Sequence, residues 1–342
     1  MNPYVFIVGC PRSGTTLLQR MVNAHPRIAI TPETHWIPRF TKKRWGVTRE
    51  GRVTPQLIAK LLEHPGFVAL SIGREELVKL IGTDESITYS SFVSRIFDVF
   101  GKGQGKPLVG DKTPGYVRRI KTLHVLWPKA RFVHLIRDGR DVYLSMANRP
   151  MEQLKEGVFD SWVEHPVATA ALWWELNVRC GREAGKTLGA ELYCEIRYES
   201  LTANPREECA KVCSFLGVQY DDSMLRFYEG RIGTKGEPGK PDWRPITSGV
   251  RDWRSQMPSA DIEQFEAAAG EFLEELAYPR SVPHPRSDYL ETASKIRDRL
   301  ARDPLTRYGL ERIELERFYI SPQGNRFAQN RGFDRLQSDH AR

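Results

Sequence analysis

The 342-residue sequence contains little of what would make it a disulfide scaffold, a metal protein or a membrane protein. Its five cysteines, Cys10, Cys180, Cys194, Cys209 and Cys213, form no CxxC pair. Cys209 and Cys213 stand one helical turn apart, with no histidine beside them to complete a zinc site. Reduced cysteines packed in a core are therefore expected, and no metal. No stretch approaches the roughly 20 consecutive apolar residues of a membrane span. No basic-then-apolar leader precedes the first strand-like run at Tyr4, so a cytoplasmic location is expected. Nucleic-acid motifs are missing, and the net charge of +8 is spread among acidic residues rather than gathered in a stripe, so nucleic acid is not expected as a partner. That mild excess suits a small, multiply anionic ligand.

What is present is a chain of alternating strand and helix patterns, expected to form an α/β fold with a P-loop-like parallel sheet covered by helices on both faces. Tyr4–Val8 reads as a buried strand and Thr15–Ala24 as an amphipathic helix. Further strands are expected at Ile28–Ile30, Leu108–Gly110, Arg131–Ile136 and Leu192–Arg197. Helices are expected at Pro55–Leu62, Glu75–Ile81, Phe92–Phe100, Arg118–Leu126, His165–Gly185, Arg206–Leu216 and Ala260–Leu276. Composition shifts to Pro, Arg and Asp after Pro279. One domain is expected over 1–279, followed by a peripheral basic tail over 280–342.

Gly9-Cys10-Pro11-Arg12-Ser13-Gly14-Thr15-Thr16 lies between a strand and a helix. Amides at a helix N-terminus point outward and favour anions, and glycine lets the main chain approach a phosphate. Arg12 adds a fixed charge; Ser13, Thr15 and Thr16 add hydroxyl donors. The spacing almost matches the ATP-binding loop, but Thr15 stands where that loop has its lysine. The loop therefore suits a phosphate without a β,γ-phosphate pair. A second signature, Arg131 to Ser145, delivers Arg137 at the carboxyl end of a strand, where ligands of open α/β sheets bind. Asp138 suits an N-cap there. Arg137 and Ser145, two turns into the next helix, can reach one further phosphate.

These two motifs resemble the sulfotransferase superfamily over about Tyr4 to Trp253. The subgroup is that of tyrosylprotein sulfotransferases and their bacterial relatives, echoed in Ala24-His25-Pro26, Glu33-Thr34, Ile37-Pro38-Arg39, Asp111-Lys112 and Arg137-Asp138-Gly139-Arg140. The resemblance implies 3′-phosphoadenylyl sulfate as sulfuryl donor. It implies that Pro11, Arg12, Ser13, Gly14, Thr15 and Thr16 hold the 5′ phosphate, and that Arg137 and Ser145 hold the 3′ phosphate. Tyr198 matches a cofactor-contacting tyrosine, and Arg244 loosely matches a late cofactor lysine. Glu33 takes the place of the catalytic base, with His35 as rival, and Lys112 that of a cation on the leaving group. Arg12 would share that work in an in-line displacement governed by positioning and electrostatics.

The sequence also departs from the subgroup. Its eukaryotic members carry a membrane anchor and work in an oxidising lumen, whereas a cytoplasmic enzyme is expected here. His35 replaces an arginine that binds acidic peptides. The acceptor hydroxyl is therefore open to carbohydrate, peptide tyrosine, lipid or small molecule, and nothing fixes an oligomeric state. Two other readings compete: a P-loop small-molecule kinase, which would need Mg²⁺ carboxylates, and a non-catalytic nucleotide-binding module.

Overall fold

A computed structural model describes residues 3–43, 45–81, 87–147, 161–231, 243–247, 249 and 251–302. Five parallel strands form one sheet: β1 (Val5–Gly9), β2 (Ile28–Thr31), β3 (Leu108–Lys112), β4 (Arg131–Ile136) and β5 (Tyr193–Arg197). Their order is β2-β3-β1-β4-β5. From β1 the chain leaves towards β2; from β4 it leaves towards β5. The sheet therefore changes direction between β1 and β4, and in open sheets of this kind ligands bind at the carboxyl ends of the strands at that point.

The fold class matches expectation, and period-two burial explains it. Tyr4, Phe6 and Val8 enter one core cluster with Trp36, Phe67, Phe92, Phe97 and Trp127. Val5 and Ile7 enter another with Leu18, Met21, Val133, Leu135 and Val212. Every residue of β1 is buried, so the strand shows no polar alternation and reads as a continuous apolar run. A third cluster joins the helices Gly139–Ala147, Pro166–Leu188 and Ser259–Glu275 around Trp174, Phe265 and Phe272. Trp162, Trp173 and Trp174 are all buried there.

One boundary differs from the sequence reading in a way that matters for the site. β3 runs on through Asp111 and Lys112, because the sheet continues past Gly110 to pair Asp111 with Thr31. After β2 the next helix begins at Ile37, which leaves Glu33 in the open connection between them. Beyond Tyr278, the helix Ser287–Arg302 buries Ala293, Ile296 and Leu300 in the third cluster. Arg297 Nη2 donates to the Ala268 carbonyl at 2.7 Å. Residues 303–342 of the expected tail lie outside the described residues. All five cysteines are free thiols.

Candidate active site

β1 ends at Gly9, where any Cβ would press on the Leu135 carbonyl of β4. The main chain then turns through Arg12 and Gly14, both left-handed, at φ 78° and 92°. Ser13 N donates to the Cys10 carbonyl at 3.1 Å and closes the turn. The helix Thr15–Ala24 starts at Gly14 with no side chain capping it. Its first-turn amides are thus left for a ligand, at the positive end of the helix dipole. Ser13 is fully buried, and its Oγ has no hydrogen-bond partner among the described residues.

β4 delivers the second arm. Arg137 is 5% exposed, and its Nη2 lies 3.3 Å from Asp141 Oδ2, one helical turn on. Its Nε is buried and unpartnered among the described residues. Asp141 Oδ1 accepts from the Trp253 amide at 2.9 Å. Burial first, with Arg137's charge opposing, pushes the Asp141 carboxyl up to about 6. Asp138 starts the helix as expected, accepting from the Arg140 amide at 2.9 Å. Arg140 turns inward. It is fully buried, forks onto Asp138 at 3.0 and 2.7 Å, and meets Glu266 at 2.6 Å.

The two arms touch. Arg12 Nε donates to Ser145 Oγ at 3.1 Å across 133 residues of sequence. The Tyr198 ring lies against Gly14, so closely that a Cβ there would overlap it. The Arg137 guanidinium sits over the same ring, 4.2 Å from its centroid. Ser13 Oγ and Arg137 Nε, two buried polar atoms without a partner among the described residues, belong to these same two arms. Buried polar groups ordinarily have partners, so this pair fits an anionic ligand with two phosphate groups.

On the other side of β1, β3 ends in Lys112, which is fully buried. Its Nζ donates to Glu33 Oε1 at 2.5 Å and to Thr16 Oγ1 at 3.4 Å. Glu33 is 20% exposed, and its Oε2 lies 3.0 Å from His35 Nε2, on a side chain that is 48% exposed. A carboxylate, an ammonium and the phosphate loop are thus in contact, although 79 residues separate Glu33 from Lys112. The exception is Arg244. It is exposed and has no hydrogen bond or ion pair among the described residues, and the adjoining 232–242 lie outside them.

Several site residues escaped the sequence reading. Asp111, fully buried, accepts on Oδ2 from Thr31 Oγ1 at 3.0 Å and from the Thr34 amide at 3.3 Å. Thr34 Oγ1 lies 2.7 Å from the Tyr116 hydroxyl, which also accepts from the Ile37 amide at 3.1 Å. Arg118 lays its guanidinium 4.4 Å from the Trp173 ring centroid, and its buried Nε has no partner among the described residues. Of these, only Asp111 and Thr34 stood in motifs, beside Lys112 and Glu33, and neither carried a role there. Among the described residues no three His, Cys, Asp or Glu side chains gather as a metal site would require.

A parallel sheet with a glycine turn before a helix N-terminus, a second cation at the direction change and a carboxylate–lysine pair beside them defines a fold with a site suited to anions. The model of the sulfotransferase family matches residues 3–222, and the chain belongs to that family. It is 24% identical over 241 residues to protein-tyrosine sulfotransferase A of Caenorhabditis elegans, a match covering 68% of this chain and 54% of that protein. To protein-tyrosine sulfotransferase 2 of Gallus gallus it is 26% identical over 235 residues, covering 68% and 56%. The chain thus spans about half the length of these curated relatives. The sulfotransferase domain of the Synechococcus PCC 7002 olefin synthase shares the fold, with a TM-score of 0.52 and 23% identity, covering 86% of this chain and 94% of that one.

The relatives correct one expectation. Protein-tyrosine sulfotransferases are the subgroup whose eukaryotic members work in an oxidising lumen, so the cytoplasmic location does not stand. No helix among the described residues is long and apolar enough to cross a membrane, which assigns no compartment.

Proposed function

We propose that this chain transfers a sulfuryl group from 3′-phosphoadenylyl sulfate to an acceptor hydroxyl, with a protein tyrosine as the acceptor. The observation that carries the reading is the contact of Glu33 with Lys112 beside the uncapped phosphate loop. Its support on the acceptor side is the similarity to two protein-tyrosine sulfotransferases.

In this reading Pro11 to Thr16 receive the 5′ phosphate on main-chain amides and hydroxyls. Arg137 and Ser145 receive the 3′ phosphate, and Tyr198 spaces the two arms. Arg244 would join them from the late loop. Glu33 takes the proton of the acceptor hydroxyl as its oxygen attacks sulfur. The bond from sulfur to the bridging oxygen breaks, and adenosine 3′,5′-bisphosphate leaves. Lys112 and Arg12 meet the negative charge that grows on the leaving phosphate and the equatorial oxygens. Such preorganised charge is the largest lever for a reaction of this kind. The half-exposed His35 is the Glu33 partner that an acceptor hydroxyl displaces. Residues 1–279 form the catalytic domain in this proposal, with 280–302 docked on it.

The test uses sulfur-labelled donor with a tyrosine peptide, its phenylalanine counterpart and its serine counterpart. Label should enter the tyrosine peptide and not the phenylalanine one. Entry into the serine peptide alone would remove tyrosine as acceptor. No transfer to these peptides or to any component of a cell extract would overturn sulfuryl transfer itself.

A further inference from the structure

We propose that Asp111 is the positioning residue of this centre: its carboxylate sets the reach of Glu33 to Lys112 by gripping the chain on both sides of Glu33. The proposal rests on the reading of Glu33 as the base. Thr31 and Thr34 bracket Glu33, and both donate to the same oxygen, Asp111 Oδ2. Thr31 is the register partner of Asp111 across β2 and β3, so the first grip is fixed by the sheet. The second grip reaches past the end of β2, where no ladder hydrogen bond constrains the chain. Thr113 Oγ1 shares it, accepting from the same Thr34 amide at 3.0 Å.

The residue after Asp111 is Lys112, whose Nζ meets Glu33 Oε1. One strand end therefore holds the carboxylate from two sides. Asp111 fixes its backbone, and Lys112 fixes its side chain. The backbone needs fixing, because His35 adopts a left-handed φ of 55° just beyond Glu33. Two donors ending on a charged acceptor make a tighter constraint than neutral pairs would. The arrangement is expensive for the fold: the carboxylate is wholly buried, and Oδ1 has no hydrogen-bond partner among the described residues. A charge buried this way costs stability, so its effect lies in geometry rather than in holding the protein together.

The experiment compares Asp111→Ala, Asp111→Asn, Thr31→Val and Glu33→Gln in the full chain, with labelled donor and the acceptor found in the assay above. Affinity for adenosine 3′,5′-bisphosphate is measured in parallel. Misplacing a reacting group by about 1 Å costs on the order of 100-fold in rate. Asp111→Ala should lose roughly that much kcat, with donor KM and nucleotide affinity unchanged. Asp111→Asn keeps an acceptor oxygen and should recover most of the loss. Thr31→Val removes one grip and should show a smaller loss, again in kcat alone; it serves should Asp111→Ala fail to fold. An undiminished kcat in Asp111→Ala or Thr31→Val, or a loss of nucleotide affinity equal to the loss of kcat, overturns the inference. So does Asp111→Asn as inactive as Asp111→Ala, since the acceptor oxygen would then not be what matters. If Glu33→Gln is fully active, the base assignment falls and the inference with it. If Glu33→Gln is dead while Asp111→Ala is unimpaired, the inference alone falls.

Discussion

Replacing Gly14 by alanine tests whether the phosphate loop and the Tyr198 ring are one packed unit. Gly14 sits at φ 92°, in the left-handed region, where an L-residue costs roughly 1–2 kcal/mol. The new methyl would also overlap the Tyr198 ring. Overpacking of that kind costs roughly 1–3 kcal/mol. Together these predict a loss of about 2–5 kcal/mol in denaturant unfolding. The overlap exists only when both side chains are present. A cycle with Tyr198→Ala should therefore be non-additive by about 1–3 kcal/mol, while the φ penalty persists. Binding should change too. A displaced ring leaves its place 4.2 Å under the Arg137 guanidinium, a contact worth roughly 0.5–2 kcal/mol. Calorimetry should then show weaker binding of adenosine 3′,5′-bisphosphate by a few-fold to about 30-fold. A Gly14→Ala protein within about 0.5 kcal/mol of wild type, or a strictly additive cycle, would refute the packing described.

Other substitutions separate the two phosphate arms from their scaffold. Arg137→Ala should weaken binding of adenosine 3′,5′-bisphosphate by about 1.5–3 kcal/mol, the range for a hydrogen bond to a charged group, and leave adenosine 5′-phosphate nearly untouched. Equal losses for both nucleotides would sink the 3′-phosphate assignment. Arg140→Ala strands Asp138 and Glu266, both buried, and should cost about 3–5 kcal/mol in urea unfolding; a cost under about 1 kcal/mol contradicts the buried fork. Burial raises the Asp111 carboxyl to about 6, against hydrogen bonds from Thr113, Thr34 and Thr31. The folded protein then holds that proton more tightly than the unfolded chain. Stability falls as pH rises from the ordinary carboxyl range near 4 through about 6, by an amount on the order of 3 kcal/mol. Asp111→Asn should make the slope over this window shallower. Asp141 keeps part of it, being raised to about 6 as well. An unchanged slope in unfolding curves taken across the window contradicts the burial of Asp111.

Local patterns made much of the fold legible. The helices Thr15–Ala24 and Pro55–Leu62 have the ends expected from their apolar spacing. The phosphate loop, Arg137 and Ser145 were legible because one strand-to-helix turn carries each arm. Pairings between distant strand ends were not. Asp111 looked like half of a dipeptide motif, while its donors Thr31 and Thr34 lie 80 and 77 residues away. The length of β3 was hidden for the same reason. Asp111 and Lys112 are charged residues that only the neighbouring β2 and the phosphate loop make tolerable inside the protein. Arg140 carried no role in the sequence beyond the Arg-Asp-Gly-Arg motif, and its inward turn onto Glu266 and the Pro279 carbonyl depends on residues more than 120 positions away.

In the proposed function Glu33 removes the acceptor proton, while the nucleotide cradle is formed by other residues. The most direct measurement is single-turnover transfer of labelled sulfate from 3′-phosphoadenylyl sulfate by wild type and by Glu33→Gln, with nucleotide affinity determined on the same preparations. Loss of a positioned base should slow transfer by on the order of 10²–10⁴-fold and leave affinity for adenosine 3′,5′-bisphosphate unchanged. Transfer at the wild-type rate by Glu33→Gln would remove Glu33 as the base.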